Sequence, residues 1–110
     1  MEIKKGDIVL VEAPSLPKGS EIQKTRPAVV VSPREMTQYA KRVMIVPLTS
    51  NISKIYPFEV LIRSNLPKPS KASCDQIQTI SVKRVIKKYG VISKTEMDEL
   101  NRALKIILQL

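Results

Sequence analysis

The 110-residue chain has no histidine, no tryptophan, one cysteine, one phenylalanine and three glycines. Without histidine there is no Ser-His-Asp triad, no paired-imidazole ribonuclease and no imidazole metal site. A single cysteine forms neither an intrachain disulfide nor a zinc cluster, and it suits a reducing compartment. No stretch reaches the ~20 apolar residues that cross a bilayer as a helix. Met1 to Lys5 lacks the apolar core of a signal peptide. The expectation from these absences is a cytoplasmic protein with no membrane partner. Acidic residues are also few: 10 Asp and Glu stand against 19 Lys and Arg, a net charge of +9. Such a surplus favours a polyanionic partner, nucleic acid above all, or serves only to solvate the surface.

Apolar residues make up 43% of the chain, which argues against disorder. The length supports one domain, residues 1–110, with no linker and no internal repeat. Asp7 to Glu12 is a β-branched apolar run between Gly6 and Pro14 and reads as a buried strand. Pro27 to Ser32, Val43 to Thr49 and Phe58 to Ile62 read the same way. Pro47 puts the end of its strand at an edge or a bulge, because proline cannot donate to a ladder. Cys74 to Thr79 alternates in polarity and predicts a fifth strand. Ser64 to Ser73, rich in Pro, Ser and Lys, reads as a connection, and Arg34 to Arg42 as a loop or a single helical turn. Ser81 can cap a short turn through Val85. Thr95 is the expected N-cap of a terminal helix, with Glu96, Asp98 and Glu99 in its first turn. Met97, Leu100, Leu104, Ile107 and Leu108 form its apolar stripe. The expected fold is mainly β with a C-terminal helix: a small β-barrel under a helical cover.

Polar clusters end or interrupt these strands: Lys18-Gly19-Ser20-Glu21, Thr25-Arg26, Thr49-Ser50 and Asp75-Gln76. Loops and strand ends are where function is usually built on such a frame. In order along the chain stand Gly6-Asp7-Ile8-Val9, Lys18-Gly19-Ser20-Glu21 and Arg26-Pro27-Ala28-Val29-Val30-Val31-Ser32-Pro33. Val46-Pro47-Leu48-Thr49-Ser50, Tyr56-Pro57-Phe58-Glu59-Val60, Asp75-Gln76-Ile77-Gln78-Thr79-Ile80 and Lys83-Arg84 follow. This ordered set resembles the MazF/PemK family of toxin endoribonucleases over nearly the whole chain. The resemblance implies an SH3-like barrel of the MazF/CcdB type and a homodimer. It implies metal-independent, sequence-specific cleavage of single-stranded RNA, leaving a 2′,3′-cyclic phosphate and a 5′-hydroxyl. It also implies an acidic MazE-like antitoxin whose tail fills the RNA groove. No metal and no cofactor are expected.

The family's catalytic arginine and threonine fall on Arg26 and Thr49. The resemblance puts RNA contacts at Lys18, Ser20, Glu21, Ser50, Lys54 and Gln76. Cleavage by a 2′-hydroxyl needs a proton acceptor, a cation on the phosphorane and a proton for the 5′-oxygen. Arg26 offers a permanently charged fork for phosphate oxygens, and Thr49 a hydroxyl donor. Apart from the resemblance, Arg26 also reads as a surface arginine and Thr49 as a hydroxyl bonded to its own backbone. Where some relatives carry His, this chain has Thr25; the acceptor stays open between Glu21, a deprotonated Arg26 and water. Gln76 can read base edges or tie a loop to the barrel. Lys83-Arg84 and Lys87-Lys88 form the densest basic patch, while Tyr56, Phe58 and Cys74 read as packing residues. Two other readings of the same frame are a nucleic-acid-binding module without catalysis and a gyrase-directed toxin.

Overall fold

A computed structural model describes residues 1–12 and 25–110 of the chain. These residues form seven strands: β1 Asp7–Glu12, β2 Thr25–Val30, β3 Arg42–Thr49, β4 Glu59–Ile62, β5 Ser70–Ser73, β6 Gln78–Ser81 and β7 Val85–Val91. They also form two α-helices, α1 Arg34–Ala40 and α2 Lys94–Leu108. The strands pair antiparallel along the path β4-β5-β3-β2-β1-β7, with β6 also paired to β3. Among the described residues β4 and β7 do not pair, so the sheet has two ends.

The strands read as unbroken apolar runs because both faces of the sheet are buried. Side chains alternate across a strand, and each central strand feeds two cores. Ile8, Val29, Val46 and Leu48 join Val60, Ile62 and the α2 residues Leu100 and Ala103. Val9, Val11, Ala28, Val30, Val43 and Ile45 point the other way, onto Ile3 and Ile80. Pro47 does not sit at an edge, since β3 has neighbours on both sides and Pro47 itself is buried. It falls at a break in the pairing of β3. The ladder with β6 runs only to Ile45, and the ladder with β5 begins at Leu48.

The expected fifth strand is corrected. Cys74–Gln76 is a short helical turn, flanked by β5 and β6. The alternation there arises from two short strands meeting at a turn. β5 lies within the stretch that reads as connection, and β7 has no counterpart in the sequence reading. Arg34–Ala40 forms a seven-residue helix. The Ser81 hydroxyl accepts from the Lys83 N–H at 3.2 Å, as expected.

The cap of α2 is Ser93, not Thr95. Ser93 Oγ accepts the Glu96 N–H at 3.1 Å, and Glu96 Oε1 accepts the Ser93 N–H at 2.9 Å. This reciprocal box satisfies two donors that a helix start leaves open. Glu96 does more than cap. Its Oε2 accepts the Arg63 N–H at 2.8 Å and the Ser64 N–H at 3.4 Å, joining the helix start to the exit of β4. Leu100 and Ala103 are buried on this helix, whereas Leu108, expected in the apolar stripe, is 51% exposed. Among the described residues no helix is long and apolar enough to cross a membrane.

Burial pushes the Glu96 carboxyl up, but the N–H groups of Arg63 and Ser93 and the hydrogen bonds of Ser64 and Ser93 outweigh it. The net result lies below the ordinary 4.5. A carboxylate held low stabilises the fold above its unfolded pKa and loses that contribution as pH falls through the folded value. Glu96→Ala is expected to cost about 2–3 kcal/mol, because it strands donors of two elements. Urea melts should show that cost at pH 7, shrinking as pH falls below 4.5.

Candidate active site

The sequence separates Arg26 from Thr49, and the sheet brings them together. β2 pairs with β3 through Ala28–Pro47, Val29–Val46 and Val30–Ile45. Arg26 lies two residues before this ladder on β2, and Thr49 two residues beyond it on β3. Both line a cleft of about 360 Å³, with Pro27, Leu48 and Ser50 beside them. Its volume falls within the roughly 300–1,000 Å³ of small-ligand pockets. A second wall comes from the β4–β5 connection: Leu66, Pro67, Lys68 and the first residue of β5, Ser70.

Arg26 is half-buried, and among the described residues no carboxylate pairs with it. A guanidinium presents its donors in a planar fork that fits an incoming anion. Thr49 Oγ1 accepts the Asn51 N–H at 3.3 Å. That bond fixes the hydroxyl oxygen and leaves its proton to donate. The local backbone bond expected of Thr49 and its capacity as a donor are therefore compatible. This side of the cleft offers a permanent cation and an oriented hydroxyl, a pair suited to the non-bridging oxygens of a phosphodiester.

The loop that follows Ser50 is held by a largely buried ion pair. Lys71 Nζ meets Glu59 Oε1 at 3.1 Å and donates to the Lys54 carbonyl at 2.7 Å. Glu59 Oε1 also accepts the Tyr56 N–H at 2.8 Å. Burial pushes the Glu59 carboxyl up, but the Tyr56 N–H, the Lys71 ammonium and the Ser73 hydroxyl hold it below 4.5. The Lys54 ammonium lies 4.8 Å from the Tyr56 ring centre, and that ring stacks on Phe58 at 5.4 Å. Tyr56 is 43% exposed, so the aromatic step is a surface feature and not core.

The remaining candidates divide. Lys18, Ser20 and Glu21 lie outside the described residues. Arg26, Thr49 and Ser50 share the cleft. Lys54 packs on Tyr56, and Gln76 is exposed on the helical turn Cys74–Gln76; neither lines the cleft. The basic patch is partly engaged in the fold. Lys88 pairs with buried Asp7 at 3.1 Å, and Lys87 lies over the Tyr89 ring at 5.1 Å. Sequence reasoning missed the wall of Leu66 and Pro67, and took Lys68 only as one of many basic residues able to meet a phosphate. The run Pro67-Lys68-Pro69 signals a loop, and nothing in its spacing points to a site. Among the described residues no group of three His, Cys, Asp or Glu side chains can hold a metal ion.

Residues 4–108 match the family described as PemK-like, MazF-like toxin of type II toxin–antitoxin system. Endoribonuclease MazF9 of Mycobacterium tuberculosis is 37% identical over 116 residues, covering 98% of each chain. The crystal structure of MazF from Deinococcus radiodurans superposes with a TM-score of 0.83 at 22% identity, over 100% of this chain and 99% of that one. A mycobacterial endoribonuclease in complex with its cognate antitoxin superposes at 0.80 and 21% identity, over 98% of this chain and 96% of that one.

Cys74 is fully buried, and burial, with the charges of Asp75 and Glu59, pushes its thiol up to about 11. At pH 8 only about 0.1% would be thiolate, the reactive form. Ellman's reagent is expected to leave Cys74 unmodified in the folded protein at pH 8 and to react at once in denaturant. Rapid labelling of the native chain would contradict the packing role.

Proposed function

Because the chain belongs to the PemK-like, MazF-like toxins of type II toxin–antitoxin systems, we propose that it is an endoribonuclease toxin that cuts single-stranded RNA. The observation that carries this reading is the convergence of Arg26 and Thr49 on one cleft. The 37% identity to a protein named an endoribonuclease supports it.

In the proposed reaction a ribose 2′-hydroxyl attacks the adjacent phosphorus. The 2′-oxygen–phosphorus bond forms, the bond to the 5′-oxygen breaks, and the 2′ proton leaves as the 5′-oxygen gains one. The products are a 2′,3′-cyclic phosphate and a 5′-hydroxyl. Charge builds on the non-bridging oxygens as phosphorus becomes five-coordinate. Arg26 meets that charge with a planar fork, and Thr49 donates its hydroxyl proton to it. Both donors are permanent parts of the fold, and the proposed reaction uses no metal ion. Ser50 borders the same cleft and contacts the RNA beside Thr49.

The partner is an acidic MazE-like antitoxin in the cytoplasm. The net charge of +9 and the antitoxin-bound mycobacterial structure support this. The functional form is a homodimer. Its support is the exposed apolar end of the chain, where Ile106, Leu108 and Leu110 are 46%, 51% and 86% exposed.

The test is cleavage of a long single-stranded transcript in EDTA. The parent protein is expected to cut it and to leave 5′ ends that a polynucleotide kinase labels without prior phosphatase. Arg26→Ala should reduce the rate by about 100-fold or more, and Thr49→Ala by about 10-fold or more. An intact transcript with the parent protein, or equal cutting by parent and Arg26→Ala, would sink the assignment.

A further inference from the structure

The cleft has a wall that the Arg26–Thr49 pair does not explain. Leu66, Pro67 and Lys68 line it from the β4–β5 connection, a segment with no regular structure. A loop of this kind would ordinarily be a poor place for a binding group, because ordering it on binding costs conformational entropy. Here the ordering is already done by the fold. Pro67 and Pro69 fix their own φ angles and confine Leu66 and Lys68 to extended backbone. The Ser70 hydroxyl donates to the Lys68 carbonyl at 3.2 Å. Upstream, Asn65 takes the left-handed conformation, with φ 55°. Its side-chain amide donates to the Val91 carbonyl at 2.8 Å, so the connection is latched to β7. Gly90 makes room for the latch: a Cβ there would lie 2.9 Å from the Asn65 side chain.

The latch and the two prolines order the backbone that carries Lys68. Among the described residues Lys71 pairs with Glu59, Lys54 packs on Tyr56 and Lys88 pairs with Asp7. Among the described residues no carboxylate lies within ion-pair reach of Lys68. A compact ammonium can meet one phosphate oxygen from any side, whereas the Arg26 fork demands a planar approach.

We propose that Lys68 is a second phosphate-binding cation of the RNA cleft, and that Asn65 is its positioning residue. The proposal rests on the RNA reading above and adds the wall that closes on the backbone from the side of β4 and β5. Lys68 meets the RNA backbone and takes no part in proton transfer.

The experiment measures binding and cleavage separately. The binding probe is a single-stranded 2′-O-methyl oligonucleotide of mixed sequence, which offers phosphates but no 2′-hydroxyl. Each cation that neutralises a single-strand phosphate adds about 0.7 to the slope of log affinity against log salt. Lys68→Met is expected to lower the slope by that amount and weaken binding about 10-fold in low salt, while Lys68→Arg keeps the slope. Asn65→Ala should weaken binding in the parent and change nothing further in the Lys68→Met background, since residues acting through one shared interaction are not additive. Thermal melts accompany each variant, and a lowered melting temperature with an unchanged salt slope would mark a structural role and overturn the proposal. An unchanged slope in Lys68→Met with normal RNA cleavage overturns the proposal and leaves the endoribonuclease reading standing. If the parent protein cuts no RNA yet Lys68→Met lowers the slope, the Lys68 assignment is supported and the endoribonuclease reading is defeated.

Discussion

The antiparallel register of β2 against β3 is the constraint on which the rest of this protein depends. It pairs Val29 with Val46 and Val30 with Ile45, and these four residues serve opposite faces of the sheet. Slipping either strand by one residue would exchange the faces and force mismatched side chains into both cores. The same pairing brings the ends of the two strands, with Arg26 and Thr49, to one cleft. The geometry of the site is therefore set by packing several residues away.

Around this frame, carboxylates are spent inward. Asp7, Glu59 and Glu96 are three of only ten acidic residues, and all three side chains are enclosed. Asp7 accepts the Lys4 N–H at 2.9 Å and pairs with Lys88. Glu59 gathers the loop after Ser50, and Glu96 joins α2 to the end of β4. A buried carboxylate that accepts backbone N–H groups orders chain segments that side-chain packing alone would leave loose. The consequence for function is electrostatic. With these anions withdrawn from the surface, the exterior that meets a polyanion is dominated by Lys and Arg.

Segments differ sharply in how far they can be read without the structure. β1 is legible with its observed bounds, Asp7–Glu12, because burial on both faces leaves an unbroken apolar signal. β7 carries Lys87, Lys88 and Gly90 within seven residues and lies at one end of the sheet, so it shows neither a run nor a clean alternation. Cys74 to Thr79 alternates for a reason other than a strand. At the start of α2, Ser93 and Thr95 are both good caps by type. Only the reach of Glu96 back to the Ser93 N–H, and onward to Arg63, selects Ser93.

The site shows the same division. Chemical capacity is local, so the chain itself showed a charged fork at Arg26 and a hydroxyl at Thr49, and the order of its motifs identified the family and pointed to those two. It also determined that any chemistry must proceed without imidazole. Spatial company is not local. That Arg26 and Thr49 share a cleft was decided by strand register, and that Lys68 lines it was decided by a latch between Asn65 and a β7 carbonyl. Gln76 lies on a helical turn and Lys54 packs on Tyr56, so neither lines this cleft. A side chain's type travels with the residue, whereas its neighbours depend on contacts between segments far apart in the chain, and those exist only once the sheet has formed.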